Sequence, residues 1–375
     1  SGSLYAISTL GSLVGTFLPV LFLIPELGTI RTFLLFAGVL YLVSMIGLWQ
    51  VVGARALFWL WMPVAIGIMA LITLNGPLRA PMAGATLLYE TETAYNFIQV
   101  QEDANGYRYL YLNEGQGVHS IYHPTIYRYG GTWDYFLTAP YFNPTTQPSD
   151  VHSLLVIGLA TGTIPRQYQH VYGDIRMVGV EIDGGIIAIG QKYFDMDAAH
   201  LPSLQTYAED GRYVLSRLDE TFDVVAIDAY RPPYIPWHLT TVEFFQQIRD
   251  HLTPNGVVAI NVGRTHTDRR LVDALTAVLM QVYSSVYAID VPRSLNTILI
   301  ATHQSTDAAN LAQNLAALPS DASSLLRDVL SDSVNSLVPV HPSDLVFTDD
   351  RASVETLVDS LVLNFLLSGE ADELR

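Results

Sequence analysis

Carboxylates follow strand-like apolar runs at three places in the middle of this sequence, and a glycine-rich turn precedes them. The turn is Gly158-Leu-Ala-Thr-Gly162, and the carboxylates are Glu181, Asp183, Asp210 and Asp228. Glycines at a strand-to-helix turn let the backbone approach a ligand closely. A carboxylate about 20 residues further on commonly binds ribose hydroxyls, and Asp210 could accept a hydrogen bond from an adenine amino group. The pattern predicts a nucleoside-containing cofactor, and the lack of a G-x-G-x-x-G motif argues against NAD.

Each of these residues alone is also typical of a turn or a helix cap after a strand. Their joint order along the chain is what favours a binding site. In an open α/β sheet, ligands bind outside the carboxyl ends of the strands, which is where this order would place all of them.

Strand-like and helix-like segments alternate through this region. The predicted strands are 154–157, 176–181, 204–207, 222–227, 256–261, 285–290 and 297–302, and the predicted helices are 186–193, 211–217, 241–251 and 269–282. Such alternation predicts an α/β fold with a doubly wound, Rossmann-like sheet. The short link between the last two strands is typical of the antiparallel pair that closes a class I methyltransferase-type sheet.

The N-terminal residues have the composition of membrane helices. Half of the chain is apolar and the mean hydropathy is +0.28. Three apolar stretches, 4–24, 30–52 and 56–74, in which Arg31 is the only charged residue, are each about as long as a bilayer-spanning helix. We predict a multi-pass membrane protein with a cytoplasmic catalytic domain and further spans before residue 1. A buried helical hairpin or a signal peptide would be the alternatives.

Charge and cysteine content exclude several functions. The formal net charge is −17, and the first 80 residues carry +2, from three arginines against one glutamate, so the remainder carries −19. An acidic body of this kind argues against nucleic acid as a partner. The chain has no cysteine, which excludes disulfides and thiol catalysis. His119 and His123 lack a nearby carboxylate pair, so no metal site is predicted.

Four segments are expected along the chain. Residues 1–78 are transmembrane helices, 79–150 hold a small antiparallel β-unit (86–122) and an aromatic linker, 151–305 form the nucleotide-binding catalytic domain, and 306–375 form a C-terminal helical segment. In that last segment Thr348-Asp-Asp is predicted to be a helix N-cap.

The motifs resemble those of the spermidine/spermine synthase family, and most closely its membrane-fused bacterial members. The similarity covers residues 86–305 well. It is carried by Gly158-Leu-Ala-Thr-Gly-Thr, Val-Glu181-Ile-Asp, Glu209-Asp-Gly-Arg, Phe222-Asp-Val-Val-Ala-Ile-Asp228-Ala and Leu252-Thr-Pro-Asn-Gly256. The stretch from Asp228 to Phe245 is the most distinctive match, and Thr348-Asp-Asp-Arg-Ala-Ser-Val-Glu355 is similar to the family's C-terminal segment.

This resemblance implies S-adenosylmethionine or its decarboxylated form as co-substrate, with no metal. Glu181 would bind the ribose, Asp210 and Gly211 would contact the adenine, and Asp228 would help to deprotonate the attacking amine, with Tyr230 as a second catalytic candidate. The other predicted cofactor-binding residues are Gly158, Ala160, Thr161, Gly162 and Ile182. The predicted substrate-binding residues are Gln116, His119, Tyr234, Trp237 and His238. Partners implied are a small-molecule amine or a membrane-associated acceptor, the lipid bilayer and a second copy in a homodimer.

Two departures leave the reaction open. Family synthases carry an aspartate at the position of Thr161 and another shortly after the catalytic one, where this chain has Ala229, Tyr230 and Arg231. Those carboxylates would pair with ammonium groups of a diamine or of the aminopropyl donor. Three functions therefore stand: alkyl (aminopropyl) transfer, methyl transfer to a membrane-associated acceptor, and non-catalytic nucleotide sensing by a membrane protein.

Overall fold

The computed structural model describes residues 2–74, 76–113, 115, 117–230 and 234–368, and for 72–74 it describes the backbone alone. The chain divides into two compact units, Ser1–His119 and Ser120–Arg375.

Exposed apolar helices open the first unit. Helix α1 (Gly2–Leu18) runs through a π-helical turn (Pro19–Leu23) into α2 (Ile24–Leu27), and α3 (Thr29–Val52) runs through a 3-10 segment (Gly53–Leu60) into α4 (Trp61–Leu74). Two continuous runs, Gly2–Leu27 and Thr29–Leu71, are long and apolar enough to cross a membrane by length and composition, and almost none of their residues are buried.

Two candidate spans, where three were predicted, are present in the described residues. Gly53 has φ +58° and starts the 3-10 segment, so the predicted span 56–74 is not one straight helix. Helix α4 has 14 residues, which gives it a length of about 21 Å, shorter than the roughly 30 Å hydrocarbon core of a bilayer. The structure therefore has two candidate spans.

A four-stranded antiparallel sheet follows, as predicted for this segment. Its strands are β1 (Thr86–Glu92), β2 (Phe97–Glu102), β3 (Arg108–Leu112) and β4 (Val118–Tyr122), in that spatial order. Two glutamines of β2 are buried in it. Gln101 donates to Gln99 at 3.1 Å and accepts from the Met82 N–H at 2.9 Å, and Gln99 donates to the Arg79 carbonyl at 2.7 Å. These bonds fix the segment that precedes β1 against the sheet.

The second unit contains an eight-stranded sheet with helices on both faces. Its helices and strands, in chain order, are α5 (Thr132–Tyr135), β5 (Ser153–Ile157), α6 (Thr163–Tyr172), β6 (Arg176–Val180), α7 (Gly184–Tyr193), β7 (Leu204–Tyr207), α8 (Gly211–Leu215), β8 (Phe222–Ile227), α9 (Val242–Asp250), β9 (Leu252–Gly263), α10 (Arg270–Met280), β10 (Ser285–Asp290), β11 (Asn296–Thr302), α11 (Ala309–Ala317), α12 (Ser324–Asn335), β12 (Leu337–Val338) and α13 (Val354–Ser368). Short 3-10 segments cover Phe136–Phe142, Pro148–Asp150 and Trp237–Leu239.

The strand order is β12-β10-β11-β9-β8-β5-β6-β7. Strand β5 pairs in parallel with β6 on one side and with β8 on the other, and β11 is antiparallel to both β9 and β10. The chain thus winds outwards in opposite directions from β5 and β8. A crevice forms at the carboxyl ends of two such strands, because their crossover connections leave on opposite faces.

Alternate residues of β5 enter two separate cores. Leu155 and Ile157 pack with residues of α9, α10 and α13, whereas Leu154 and Val156 pack with residues of α6, α11 and α12. All four side chains are almost completely buried. A strand covered on both faces reads as a continuous apolar run, which is why the sequence identified β5 so clearly.

Candidate active site

The glycine-rich turn holds the end of β5 against the end of β8. Gly158 has φ +87°, and a Cβ at this position would lie 2.5 Å from the backbone carbonyl of Asp228. The N–H groups of Gly158 and Leu159 both donate to the Val180 carbonyl, at 2.9 and 3.0 Å. Gly162, with φ +86°, begins α6, and a Cβ there would approach the Met196 sulfur to 2.7 Å. Both positions require glycine.

Glu181 connects this turn to the end of β6. Its Oε2 accepts the Ala160 N–H at 3.0 Å, and its Oε1 accepts the Asp183 N–H at 3.2 Å. Burial raises the pKa of Glu181, and these backbone hydrogen bonds act in the opposite direction. The adjacent Ile182 leaves 43% of its apolar surface exposed. Asp183 is also buried, and it caps α7 by accepting the Gly185 N–H at 3.0 Å.

Thr161 lies inside the turn and is 1% exposed. Its N–H donates to the Ser120 hydroxyl at 3.1 Å, while its own hydroxyl has no hydrogen-bond partner among the described residues. Next to it, the Thr163 hydroxyl donates to the Ile121 carbonyl at 3.0 Å. The same hydroxyl oxygen of Thr163 accepts the Ile121 N–H at 3.1 Å. The turn is therefore fixed to the last residues of β4.

Asp210 serves as both a helix cap and a side-chain partner. Its Oδ1 accepts the N–H groups of Arg212 and Tyr213, both at 3.0 Å, and its Oδ2 lies 2.8 Å from Nε2 of His238. A Cβ on Gly211 would come within 2.5 Å of Ile157, so the start of α8 lies directly on the end of β5. About a third of the Asp210 side chain remains exposed.

Asp228 follows β8 at the centre of the crevice. Its N–H donates to the Ile157 carbonyl at 2.9 Å, and its Oδ1 accepts from Nδ2 of Asn261 at 2.8 Å. Burial raises the pKa of Asp228 to about 6, against hydrogen bonds from Asn261 and Trp133 that lower it. The carboxyl group is therefore ionised at neutral pH and is a stronger proton acceptor than an ordinary aspartate.

Asn261 is a site residue that the sequence reasoning missed. It is almost buried at the end of β9, and its Oδ1 accepts from Nδ2 of Asn296 at 2.9 Å. Ile227 of β8 pairs with Ile260 of β9, so the next residue on each strand, Asp228 and Asn261, comes side by side. A polar residue at the end of an apolar strand, in register with a carboxylate, was the signal available.

Tyr230, the second catalytic candidate, lies beside Asp228, and its hydroxyl is hydrogen-bonded to the backbone. It donates to the Asn261 carbonyl at 3.1 Å and accepts the Gly263 N–H at 2.6 Å. Burial raises the pKa of Tyr230, so the phenol stays neutral. This arrangement holds the loop after β8 on the end of β9.

The predicted substrate-binding residues do not lie together in one place. His238 meets Asp210, and the ring of Trp237, which is 42% exposed, stands edge-on to His238 with centroids 5.8 Å apart. The Tyr234 hydroxyl instead donates to Asp359 of α13 at 2.5 Å. His119 lies on β4 in the first unit, where burial lowers its pKa to about 4. Gln116 and Arg231 lie outside the described residues.

The predicted helix cap at Thr348 is wrong. Helix α13 begins at Val354, and Thr348 forms a bridge with Arg351 in a tight turn instead. The carboxylate of Asp349 pairs with Arg212 through two contacts of 2.7 Å. Asp349, which the sequence pattern assigned to the helix cap, therefore forms an ion pair with a residue that is distant along the chain. Within the described ranges, no group of three or more His, Cys, Asp or Glu side chains could hold a metal ion.

The strand order and the antiparallel final pair define a Rossmann-like, class I methyltransferase-type fold, which confirms the predicted class. The crystal structure of a probable spermidine synthase from Corynebacterium glutamicum has the same fold, with a TM-score of 0.52 at 19% identity, covering 71% of this chain and 98% of that one. The spermidine synthase of Thermotoga maritima superposes with a TM-score of 0.51 at 17% identity, covering 68% of this chain and 84% of that one.

Sequence comparison finds a family domain in the second unit. Residues 145–314 match the spermine/spermidine synthase domain. A "probable polyamine aminopropyl transferase" of Bifidobacterium longum is 29% identical over 314 residues, which cover 78% of this chain and 68% of that protein. The polyamine aminopropyltransferase of Vibrio vulnificus is 28% identical over 155 residues, 40% of this chain and 48% of that protein, so the match spans about half of its length. Residues 145–314 are therefore similar to the spermine/spermidine synthase domain, and the relatives found by sequence are named as polyamine aminopropyltransferases.

Proposed function

We propose that this chain transfers an aminopropyl group from decarboxylated S-adenosylmethionine to an amine, with Asp228 as the base. The observation that carries the proposal is the carboxylate of Asp228, at the centre of the crevice, with its pKa raised to about 6 and its orientation fixed by Asn261. The domain match and the names of the related proteins supply the class of reaction.

The donor's nucleoside fits the groups around the turn. The carboxylate of Glu181 accepts backbone N–H groups at both oxygens, and a carboxylate offers about four acceptor positions, so capacity remains for ribose hydroxyls. Ile182 presents an exposed apolar surface to the face of the base. Asp210 stands at the next strand end, where it would accept from the adenine amino group.

The chemistry follows from the charge of the reactants. An ammonium group has no lone pair, so one of its protons must pass to a base before the nitrogen can attack. The amine nitrogen then attacks the propyl carbon next to sulfur, the carbon–sulfur bond breaks, and the sulfonium leaves as neutral methylthioadenosine. A neutral leaving group needs no acid, so alignment of the two substrates is the main requirement. Asp228 would end this step protonated.

The test is product formation from the decarboxylated donor and a panel of amines, with methylthioadenosine measured by mass spectrometry. The wild-type chain should release it, and Asp228→Asn should reduce the rate by about 10²–10⁴-fold. Asp219→Asn, an exposed aspartate after α8, is the matched control and should leave the rate unchanged. Equal rates for wild type and Asp228→Asn would refute the role of the base.

Methyl transfer from S-adenosylmethionine to a membrane-associated acceptor is the second candidate. The observation that favours it is Thr161, a neutral and buried residue in the turn where a carboxylate could have paired with an aminopropyl ammonium. This reaction would release S-adenosylhomocysteine in place of methylthioadenosine. Release of neither product with any acceptor, together with tight nucleoside binding, would favour a nucleotide sensor.

We also propose that the two apolar runs anchor the chain in a lipid bilayer, with the catalytic unit on the cytoplasmic side. Large apolar side chains such as Phe33 and Val51 are 71% and 83% exposed, a cost that hydrocarbon surroundings would remove. The full chain should stay in the membrane fraction after an alkaline carbonate wash, whereas release by the wash would refute anchoring. Light scattering of the detergent-solubilised chain would test the predicted homodimer.

A further inference from the structure

A residue of the C-terminal segment, beyond the 145–314 range of the family match, contacts the donor site through one arginine. The guanidinium of Arg212 donates two hydrogen bonds to the carboxylate of Asp349, each of 2.7 Å. Asp349 also accepts from the Thr241 hydroxyl at 2.7 Å, and its N–H donates to Glu243 at 3.0 Å. A two-point pair of this kind defines orientation as well as distance.

Arg212 in turn holds the segment that carries His238. Its Nε donates to Gln247 of α9 at 3.0 Å, and one of its terminal nitrogens donates to the His238 carbonyl at 3.2 Å. The ring of the same histidine lies 2.8 Å from Oδ2 of Asp210. Asp349, Arg212, His238 and Asp210 are therefore linked by direct contacts, and the last of them follows β7 at the carboxyl end of the sheet.

A count of lone pairs shows what this arrangement leaves free. An ionised carboxylate offers about two acceptor positions on each oxygen. On Asp210, the backbone N–H groups of Arg212 and Tyr213 use both positions of Oδ1, and His238 uses one of Oδ2. A single acceptor position remains, on an oxygen whose direction is set by the histidine. A hydrogen-bond donor on the nucleobase is the ligand group that such a position selects.

We propose that Asp349 is a positioning residue for recognition of the donor's base: through Arg212 and His238 it orients Asp210 to accept from the exocyclic amino group of adenine. The inference rests on the proposed function, because it takes the nucleoside of the donor to be the ligand. It adds that discrimination between amino and oxo purines depends on a residue outside the matched domain.

The test compares two nucleosides by calorimetry on the full chain in detergent. Methylthioadenosine carries the amino group, and methylthioinosine carries an oxo group at the same position, which would face the carboxylate with its own lone pairs. A hydrogen bond to a charged group favours the amino nucleoside by roughly tenfold or more in the wild type. Asp349→Asn should reduce that preference by about three- to tenfold, mainly through weaker methylthioadenosine binding.

Two further variants separate positioning from general stability. Asp350→Asn changes the neighbouring exposed carboxylate, which has no hydrogen bond or ion pair in the described part of the chain, and should keep the wild-type preference. Arg212→Lys retains the positive charge but loses the two-point contact, and should reproduce the effect of Asp349→Asn even if that variant folds poorly.

The outcomes are distinct. A wild type that prefers methylthioadenosine, with the same preference in Asp349→Asn and Arg212→Lys, would overturn the inference and leave the proposed function intact. Equal weakening of both nucleosides would also overturn it, because that is the result of a purely structural role. A wild type that binds neither nucleoside would refute the proposed function, and this inference with it.

Discussion

Removing the side chain of Asn261 should move the acid limb of the pH–rate profile to higher pH. Asn261 donates to the carboxylate of Asp228 at 2.8 Å, and this hydrogen bond lowers a pKa that burial raises to about 6. A hydrogen bond to a charged group contributes about 1.5–3 kcal/mol, and one pKa unit corresponds to about 1.4 kcal/mol. Asn261→Ala should therefore raise the pKa of Asp228 to roughly 7–8.

The consequence for the rate follows from the sign of this change. A base acts only when it is ionised, so a higher pKa lowers the active fraction at any pH below it. At pH 7 the ionised fraction of Asp228 should fall from roughly nine-tenths to between a half and a tenth. Above about pH 9 the loss from titration disappears, and any remaining defect reflects orientation of the carboxylate.

The assay is methylthioadenosine release, with kcat/KM for the acceptor amine followed from pH 5 to 9. Asn310→Ala is the matched control, because Asn310 donates to the Phe142 carbonyl at 2.9 Å and makes no hydrogen bond to Asp228 or Asn261 among the described residues. It should lower the thermal midpoint and leave the acid limb in place. An Asn261→Ala profile with the wild-type midpoint would show that Asp228 is not the titrating base.

Three further results are expected. Asp228→Asn should raise the thermal midpoint above that of the wild type, by an amount that grows as pH rises from about 4 to above 6. The reason is that burial raises the pKa of Asp228 in the folded state, so ionisation of this carboxyl group destabilises the wild type. A difference in thermal midpoint that does not depend on pH would contradict this. Gly158→Ala should lower the free energy of unfolding in urea by about 2 kcal/mol or more, because its Cβ would lie 2.5 Å from the Asp228 carbonyl. Gly173→Ala is the control and should cost less, because Gly173 also has a positive φ but its Cβ would meet nothing within 4 Å. Equal losses of stability in the two variants would contradict the steric overlap at Gly158. Glu181→Ala should weaken methylthioadenosine binding by about tenfold or more, and unchanged affinity in calorimetry would show that Glu181 does not bind the nucleoside.

Local patterns predicted the sheet well. Strands β7, β8 and β10 begin and end where the apolar runs do, because turn residues bound each of them. Strand β9 begins earlier than predicted, at Leu252, since Phe222 of β8 pairs with Leu252 before the register shifts. The break before the predicted span 56–74 was not visible in the sequence, because the composition there is apolar throughout and the break depends on the backbone conformation at Gly53.

A residue that follows a strand can be predicted from the chain alone, whereas a contact between two distant residues cannot. Glu181 and Asp228 follow their strands and could be found from the chain alone. The bond from Tyr234 to Asp359 and the pair of Arg212 with Asp349 join residues 125 and 137 positions apart, which no local pattern reveals. Asn261 required knowledge of the register between β8 and β9.

The most direct test of aminopropyl transfer is a competition in one tube between S-adenosylmethionine and decarboxylated S-adenosylmethionine labelled with deuterium in the propyl chain. With an amine acceptor present, we predict methylthioadenosine as the nucleoside product and the whole deuterated propyl group on the acceptor nitrogen. Formation of S-adenosylhomocysteine, with the labelled donor left intact, would contradict the assignment and establish methyl transfer.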